Sequence, residues 1–245
     1  MSLSAALANT TLDHVVSALG LREIAGEGGP RLVFRSPMSP DPVGQLRLFV
    51  GPHVGTVVNV TMTVPAIGLD SHMVYAFSGP GSAVPHFTVD SVQTGDMHAF
   101  HLDLVPRVDL PVNIAYCDEV YAPVNDAYES VAAIDGLEAA HLGRRQWAVM
   151  SPWMLAHRAT ADAFASIGSV VSAYRDHWIM MLRDGLSSDA VAGMTASDLD
   201  VRDARHRSVV FNPDVDPVWG MVDRLLGGDM SRHVRSILKD PKGLA

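Results

Sequence analysis

The 245-residue sequence is 48% hydrophobic and carries a formal net charge of −9, enough apolar content for a sizeable core and too much for wholesale disorder. So acidic a chain lacks the basic footprint that nucleic acid or an anionic membrane needs in a main partner. Its one cysteine, Cys117, excludes an internal disulfide and a multi-cysteine zinc or iron–sulfur centre.

The N-terminal segment lacks the basic start and unbroken apolar run of a signal peptide. Leu12, Val15, Val16 and Leu19 follow helical spacing instead, which predicts a helix over 4–20 that ends at Gly20. No run is long enough to span a bilayer, so the chain reads as cytoplasmic and without a membrane partner. A Gly-rich loop at 26–30 leads into strand-like segments at 31–36, 45–51, 56–64, 72–77, 86–93 and 97–105. Turn residues such as Ser39-Pro40-Asp41-Pro42 and Gly79-Pro80-Gly81 separate them. Helices are expected after Pro106, over 112–134, 151–184 and 217–238. Strands followed by helices predict an α+β fold, an antiparallel sheet covered by helices, in a single unit over 1–245.

The strands alternate with a period of two. In 56–64, Val58, Val60, Met62 and Val64 share one face, and Asn59, Thr61 and Thr63 the other. His86, Thr88 and Asp90 share a face of the strand after Pro85; His101 and Asp103 share one in the next. Each segment thus has an apolar face and a face of small or ionisable groups. Such a polar face either meets water or floors a pocket beneath the later helices. The long, mostly apolar stretch 148–186 needs something to cover, which favours the pocket.

Gln93-Thr94-Gly95-Asp96 signals a tight turn. A two-residue loop at Thr94-Gly95 sets Thr88 opposite His101, His86 opposite Asp103 and Asp90 opposite Ala99. That register holds a histidine against a carboxylate and leaves Asp90 room for a ligand atom. Buried beneath a hydrophobic ligand, Asp90 is a candidate proton donor at neutral pH.

No GxGxxG, Walker loop, GxSxG elbow or HExxH occurs. His98 and His101, three apart in a strand, point to opposite faces, and no metal site is expected. The twelve scattered methionines read as core filler. The Arg144-Arg145 pair is a solvated loop feature or a dock for an acidic protein or anionic substrate groups.

The run Val84-Pro85-His86-Phe87-Thr88-Val89-Asp90, followed by Leu102-Asp103-Leu104-Val105-Pro106-Arg107-Val108-Asp109-Leu110, resembles the centre of red chlorophyll catabolite reductase. That family has a similar "PHF" strand and "DLxPRxDL" strand and turn. Tyr116 through Tyr121 looks like its Tyr-containing helical segment, and the stretch from Arg145 through Ser151 to Arg158 like its Ser- and Arg-bearing one. Asp223-Arg224-Leu225-Leu226-Gly227 is similar to the close of the wider ferredoxin-dependent bilin reductase superfamily.

The resemblance implies a three-layer α/β/α sandwich with a central antiparallel sheet and an open-chain tetrapyrrole between sheet and C-terminal helices. It implies reduction of a bilin double bond by electrons from ferredoxin and protons from acidic side chains, with no bound metal or flavin. Asp90 maps to the acidic position of the PHF strand, where the plant enzymes look to have a Glu. The second acid precedes the last helix, where Asp214 and Asp216 stand; Asp216 is the choice. His86, steadied by Asp103, is a tuning or relay group. Arg107, Ser151 and Arg158 are the propionate candidates, and Thr88, His101, Asp103 and Asp214 complete the site. A homodimer is compatible with the sequence. Two rival readings are a non-catalytic tetrapyrrole carrier and a non-redox enzyme on the same scaffold.

Overall fold

The computed structural model describes residues 1–240; the last five residues of the expected unit lie outside the described residues. Helix α1 (Leu3–Leu19) is followed by strands β1 (Arg22–Glu23), β2 (Leu32–Ser36), β3 (Ser39–Gly51), β4 (Val54–Val64), β5 (Leu69–Ser78), β6 (His86–Thr94) and β7 (Met97–Val105). Then come α2 (Ile114–Val120), α3 (Asn125–Ser130), β8 (Leu137–Ala139), α4 (Arg144–Val149) and β9 (Leu155–Ala159). Helices α5 (Ala161–Ser166), α6 (Gly168–Asp184), α7 (Ala196–Val210), α8 (Val218–Leu226) and α9 (Gly228–Lys239) complete the described chain.

Among the described residues the strands form one antiparallel sheet of nine, in the order β1-β3-β4-β5-β6-β7-β9-β8, with β2 also on β3. Helices pack on both faces, so the architecture is the three-layer α/β/α sandwich of an α+β fold. On one face Val57, Val74, Phe87, Leu102 and Leu104 pack with α1, α5 and α6. On the other, Val58, Tyr75, Phe77 and Val105 pack with α7, α8 and α9.

Helix α1 follows its sequence pattern closely. Ser2 caps its N-terminus by accepting from the Ala5 N–H, Leu12, Val15 and Leu19 are buried, and Gly20 ends it at φ 60. Further along, local pattern and fold diverge. The expected helix at 112–134 is broken into α2, α3 and single 3₁₀ turns, one of them carrying Pro123 near its start. The segment 151–184, expected to be helical, begins with β9, which pairs with β7; Thr160 then caps α5. The expected helix 217–238 divides at Gly227, whose φ is 79.

Helix α7 has no counterpart in the apolar pattern. Its buried stripe is Leu199, Asp203, Arg207 and Val210, which has helical spacing, but two of its four members are ions. They are buried because they pair with each other, with Arg107 just past β7 and, through Asp203, with His86 on the sheet, a compensation invisible to a search for apolar periodicity.

The strand faces hold a further correction. Val58 of β4 stands beside Tyr75, Thr88 and Asp103 across successive pairs, and Val60 beside Met73, Asp90 and His101. The apolar face of β4 therefore shares a side with the ionisable face of β6 and β7, whereas Asn59, Thr61 and Thr63 look to the opposite layer. Polar and apolar stripes lie side by side on the inner face below α7 and α8.

Candidate active site

The β6–β7 hairpin sets the site, and its register differs from the expected one. Thr94 pairs with Met97, so the two-residue loop is Gly95-Asp96. Gly95 takes φ 58, and no other kind of residue in the described chain has positive φ. A loop starting at Thr94 would force that β-branched residue into the left-handed region, which is costly. The pairs are consequently Thr88 with Asp103, Asp90 with His101, and His86 with Val105. The slip is two positions, so each side chain keeps its face while every partner changes.

Between this face and the α4, α7 and α8 segments lie two adjoining chambers, of about 310 Å³ and about 150 Å³, the larger at the lower end of the range of small-molecule sites. Asp90, His101, Asp216, Val210 and Val218 line both. Among the described residues no lysine or arginine lines either one. Apolar walls come from Val92, Met150 and Val210, with Val60 and Met73 behind Asp90.

Several polar atoms in this apolar setting are left unpaired. Asp90 Oδ1, His101 Nε2, Tyr75 Oη and Trp219 Nε1 are buried with no hydrogen-bond partner among the described residues, and all four residues line the smaller chamber. Unsatisfied buried polar atoms are rare in proteins, and a set facing one cavity fits a bound polar-edged ligand or ordered water. Burial, reinforced by the nearby Asp216 charge, lifts the Asp90 carboxyl to about 7. Burial also raises Asp216, against hydrogen bonds from the Val218 N–H and Gln146. The same desolvation lowers His101 to about 4, leaving a neutral imidazole beside Asp90. A carboxyl half-neutral near pH 7, a second acid and a neutral imidazole form a proton-donating set.

The expected residues divide into two groups. Asp90, Asp216, His101 and Thr88 meet at the cavity. Asp214 does not: it is exposed, and its carbonyl accepts from Arg145 at 3.3 Å. Asp103 is fully buried and accepts from the Ser151 N–H at 3.0 Å and from the Ser151 hydroxyl. Burial raises its carboxyl to about 6, against the Ser151 bonds. Neither Asp103 nor Ser151 lines a chamber.

His86 and Arg107 belong to a different cluster. The His86 Nδ1 accepts the Ser78 N–H at 3.0 Å, so its Nε2 carries the proton and donates to Asp203 of α7 at 2.6 Å. Asp203, not Asp103, is its carboxylate. Burial lowers His86 to about 4, further aided by the nearby Arg107 and Arg207 charges and opposed by Asp203. Arg107 donates to the Gly79 carbonyl at 2.6 Å and lies 3.3 Å from Asp200 and 3.5 Å from Asp203. Arg207 Nε is 3.1 Å from Asp203 but at an angle that makes no hydrogen bond, an ion pair by charge alone. Burial would raise Asp203, yet the His86 bond and the two guanidinium charges outweigh it and hold the carboxyl well below its usual range. The cluster fastens α7 to the sheet, and Arg107 is consumed by it.

Arg158 is exposed on β9, opposite Ala99 and Glu138. It shares the inner face with Ala99 and Ala156, which line the larger chamber, and so stands at the rim. The sequence pattern did not single out Tyr75, Gln146 or Trp219. Tyr75 and Trp219 look like ordinary core aromatics, and only the unsatisfied Oη and Nε1 distinguish them.

No family model matches the sequence, and no curated protein sequence matches it. Among solved structures the chain is similar to phytochromobilin synthase from tomato, crystallised in complex with biliverdin. The TM-score is 0.74 at 19% sequence identity, over 98% of this chain and 84% of that one. At that identity the likeness establishes architecture alone: this chain is folded like the tomato phytochromobilin synthase.

Proposed function

We propose that the chain binds a linear tetrapyrrole between the sheet and α7–α8 and reduces it by stepwise transfer of electrons from ferredoxin and protons from its own carboxyl groups. The observation that carries this reading is the pair Asp90 and Asp216, two acids raised by burial on one apolar cavity, in a fold shared with a protein solved with biliverdin. Two electrons and two protons saturate one double bond of the conjugated chain. Asp90, near half-neutral at pH 7, supplies the first proton. Asp216 supplies the second, and the neutral His101 imidazole beside Asp90 relays protons to restore it. Burial of a large flat π-system against Val92, Met150, Val210 and Val218 provides most of the affinity. The finer alternative within this reading is an open-chain chlorophyll catabolite, as the resemblance to red chlorophyll catabolite reductase suggests.

The test is a titration of the purified protein with biliverdin and with an open-chain chlorophyll catabolite, followed by visible absorption. Addition of ferredoxin, its reductase and NADPH without oxygen is expected to bleach or blue-shift the bound band. Absence of any spectral change with every linear tetrapyrrole removes the proposal. A shift on binding with no reduction leaves a carrier.

A further inference from the structure

Gln146 sits in the third position of α4, directly over the cavity that it helps to line. Its two amide ends have different tasks. Oε1 accepts the Gly143 N–H at 2.8 Å, closing the helix N-terminus. Because that end must be the oxygen, the other end must be the NH₂ group, which points at Asp216 Oδ1 at 3.2 Å and can only donate. Asp216 Oδ1 also accepts the Val218 N–H at 3.1 Å. Both donors converge on one carboxyl oxygen, while Oδ2 takes no hydrogen bond among the described residues.

From this geometry we infer that Gln146 is a positioning residue: it commits Asp216 Oδ1 to accepting, so that the acidic proton rides on Oδ2. The capping bond to Gly143 fixes which way the amide faces, the amide fixes which oxygen is an acceptor, and the remaining oxygen becomes the donor. A carboxyl held this way delivers its proton from one defined atom and does not waste it on a protein partner. The inference rests on the proposed role of Asp216 as a proton donor, but the bonding pattern itself is testable without any tetrapyrrole. The groups that face Asp216 are Asp90 and His101 from the sheet and Gln146 from α4; Arg145 reaches the neighbouring Asp214 carbonyl. Asp90 is the nearby group whose charge adds to that of Asp216.

Two variants separate the donor from the cap, Gln146→Glu and Gln146→Met. Glutamate at this helix position still accepts from the Gly143 N–H, so α4 keeps its cap. The ionised side chain cannot donate to Asp216 and places a like charge beside it. The midpoint of Asp216, followed by carbon-13 NMR of its carboxyl in the full chain and assigned with Asp216→Asn, is expected to rise by about one pH unit. Gln146→Met, which removes the donor without adding charge, is expected to raise it less. A cap-only role for Gln146 predicts movement in Gln146→Glu, from the added charge, but none in Gln146→Met, and an unchanged midpoint in Gln146→Met overturns the inference. If biliverdin then fails to bind the wild-type protein, the proposed function falls while the carboxyl titration still decides the role of Gln146. If it binds, Gln146→Glu is expected to move the pH profile of reduction upward with little change in KM.

Discussion

Asp90 on β6 and His101 on β7 stand directly opposite one another in the sheet, and each presents a buried polar atom, Oδ1 and Nε2, that no group among the described residues satisfies. Side chains in such a pair are close enough to bond each other. That they do not leaves both free for whatever occupies the cavity, which is what the proposed proton transfer requires of them.

Asp90→Asn is expected to keep biliverdin binding and to lower the reduction rate by about 100-fold or more, since it removes a positioned proton donor. The pH dependence has a definite sign. The carboxyl is raised to about 7, so the donor form prevails below that value and the wild-type rate falls as pH climbs through it. Stability follows the same direction: the raised carboxyl costs nothing below its unfolded value near 4 and progressively more up to about 7. Asp90→Asn is therefore expected to be more stable than wild type at pH 8.5, by about 4 kcal/mol, with no gain at pH 4. Urea denaturation at the two pH values checks it, and equal gains at both would refute it.

Asp203→Ala is expected to be the most damaging of these substitutions, because it strands Arg107, Arg207 and the His86 Nε2–H in the interior. Removing one member of a buried ion cluster costs about 3–5 kcal/mol. The wild-type contribution is present above the unfolded carboxyl range and is lost as pH falls below it, because Asp203 is held low. Chemical denaturation of both proteins between pH 3 and 7 measures this. A loss under about 1 kcal/mol at pH 7 would contradict a structural role for the cluster.

Ser151→Ala deletes the hydroxyl that donates to the fully buried Asp103. It is expected to cost about 1–3 kcal/mol and to raise the Asp103 carboxyl further, while biliverdin affinity of the folded protein is unchanged. Tighter or weaker binding at equal folded fraction would return Ser151 to the pocket.

Arg158 and Arg107 are expected to separate cleanly. Arg158→Ala removes an exposed rim cation beside a chamber that no lysine or arginine among the described residues lines. It is expected to weaken biliverdin by about 5-fold, as a solvated ion pair is worth up to about 1 kcal/mol, and to leave biliverdin dimethyl ester unaffected. Arg107→Lys is expected to lower the unfolding midpoint and spare the affinity, since Arg107 spends its donors on Gly79 and α7. Affinity measurements with the acid and the ester, set beside thermal melts, distinguish the two.

Much of the architecture was legible in the linear chain, because it is written in local periodicity. The alternation in β4, β6 and β7 placed His86, Thr88 and Asp90 on one face and His101 and Asp103 on another strand's face, and the two-position register slip could not disturb that. The motif around Pro85 and Pro106 pointed to the α/β/α sandwich. What the tertiary structure alone decided is which of those polar residues meet. Asp103 went to Ser151 and His86 to Asp203, so two residues expected in the site became internal fasteners. Asp216 rather than Asp214 turned inward because α8 begins there and its Val218 N–H bonds the carboxylate. Helix α7 carries its buried stripe on Asp203 and Arg207, and such a stripe reads as solvent-facing until its partners, more than ninety residues away in the chain, are in place. A period reports which way a side chain points; whether it meets a partner, a cavity or water depends on segments far apart in sequence, and that only folding settles.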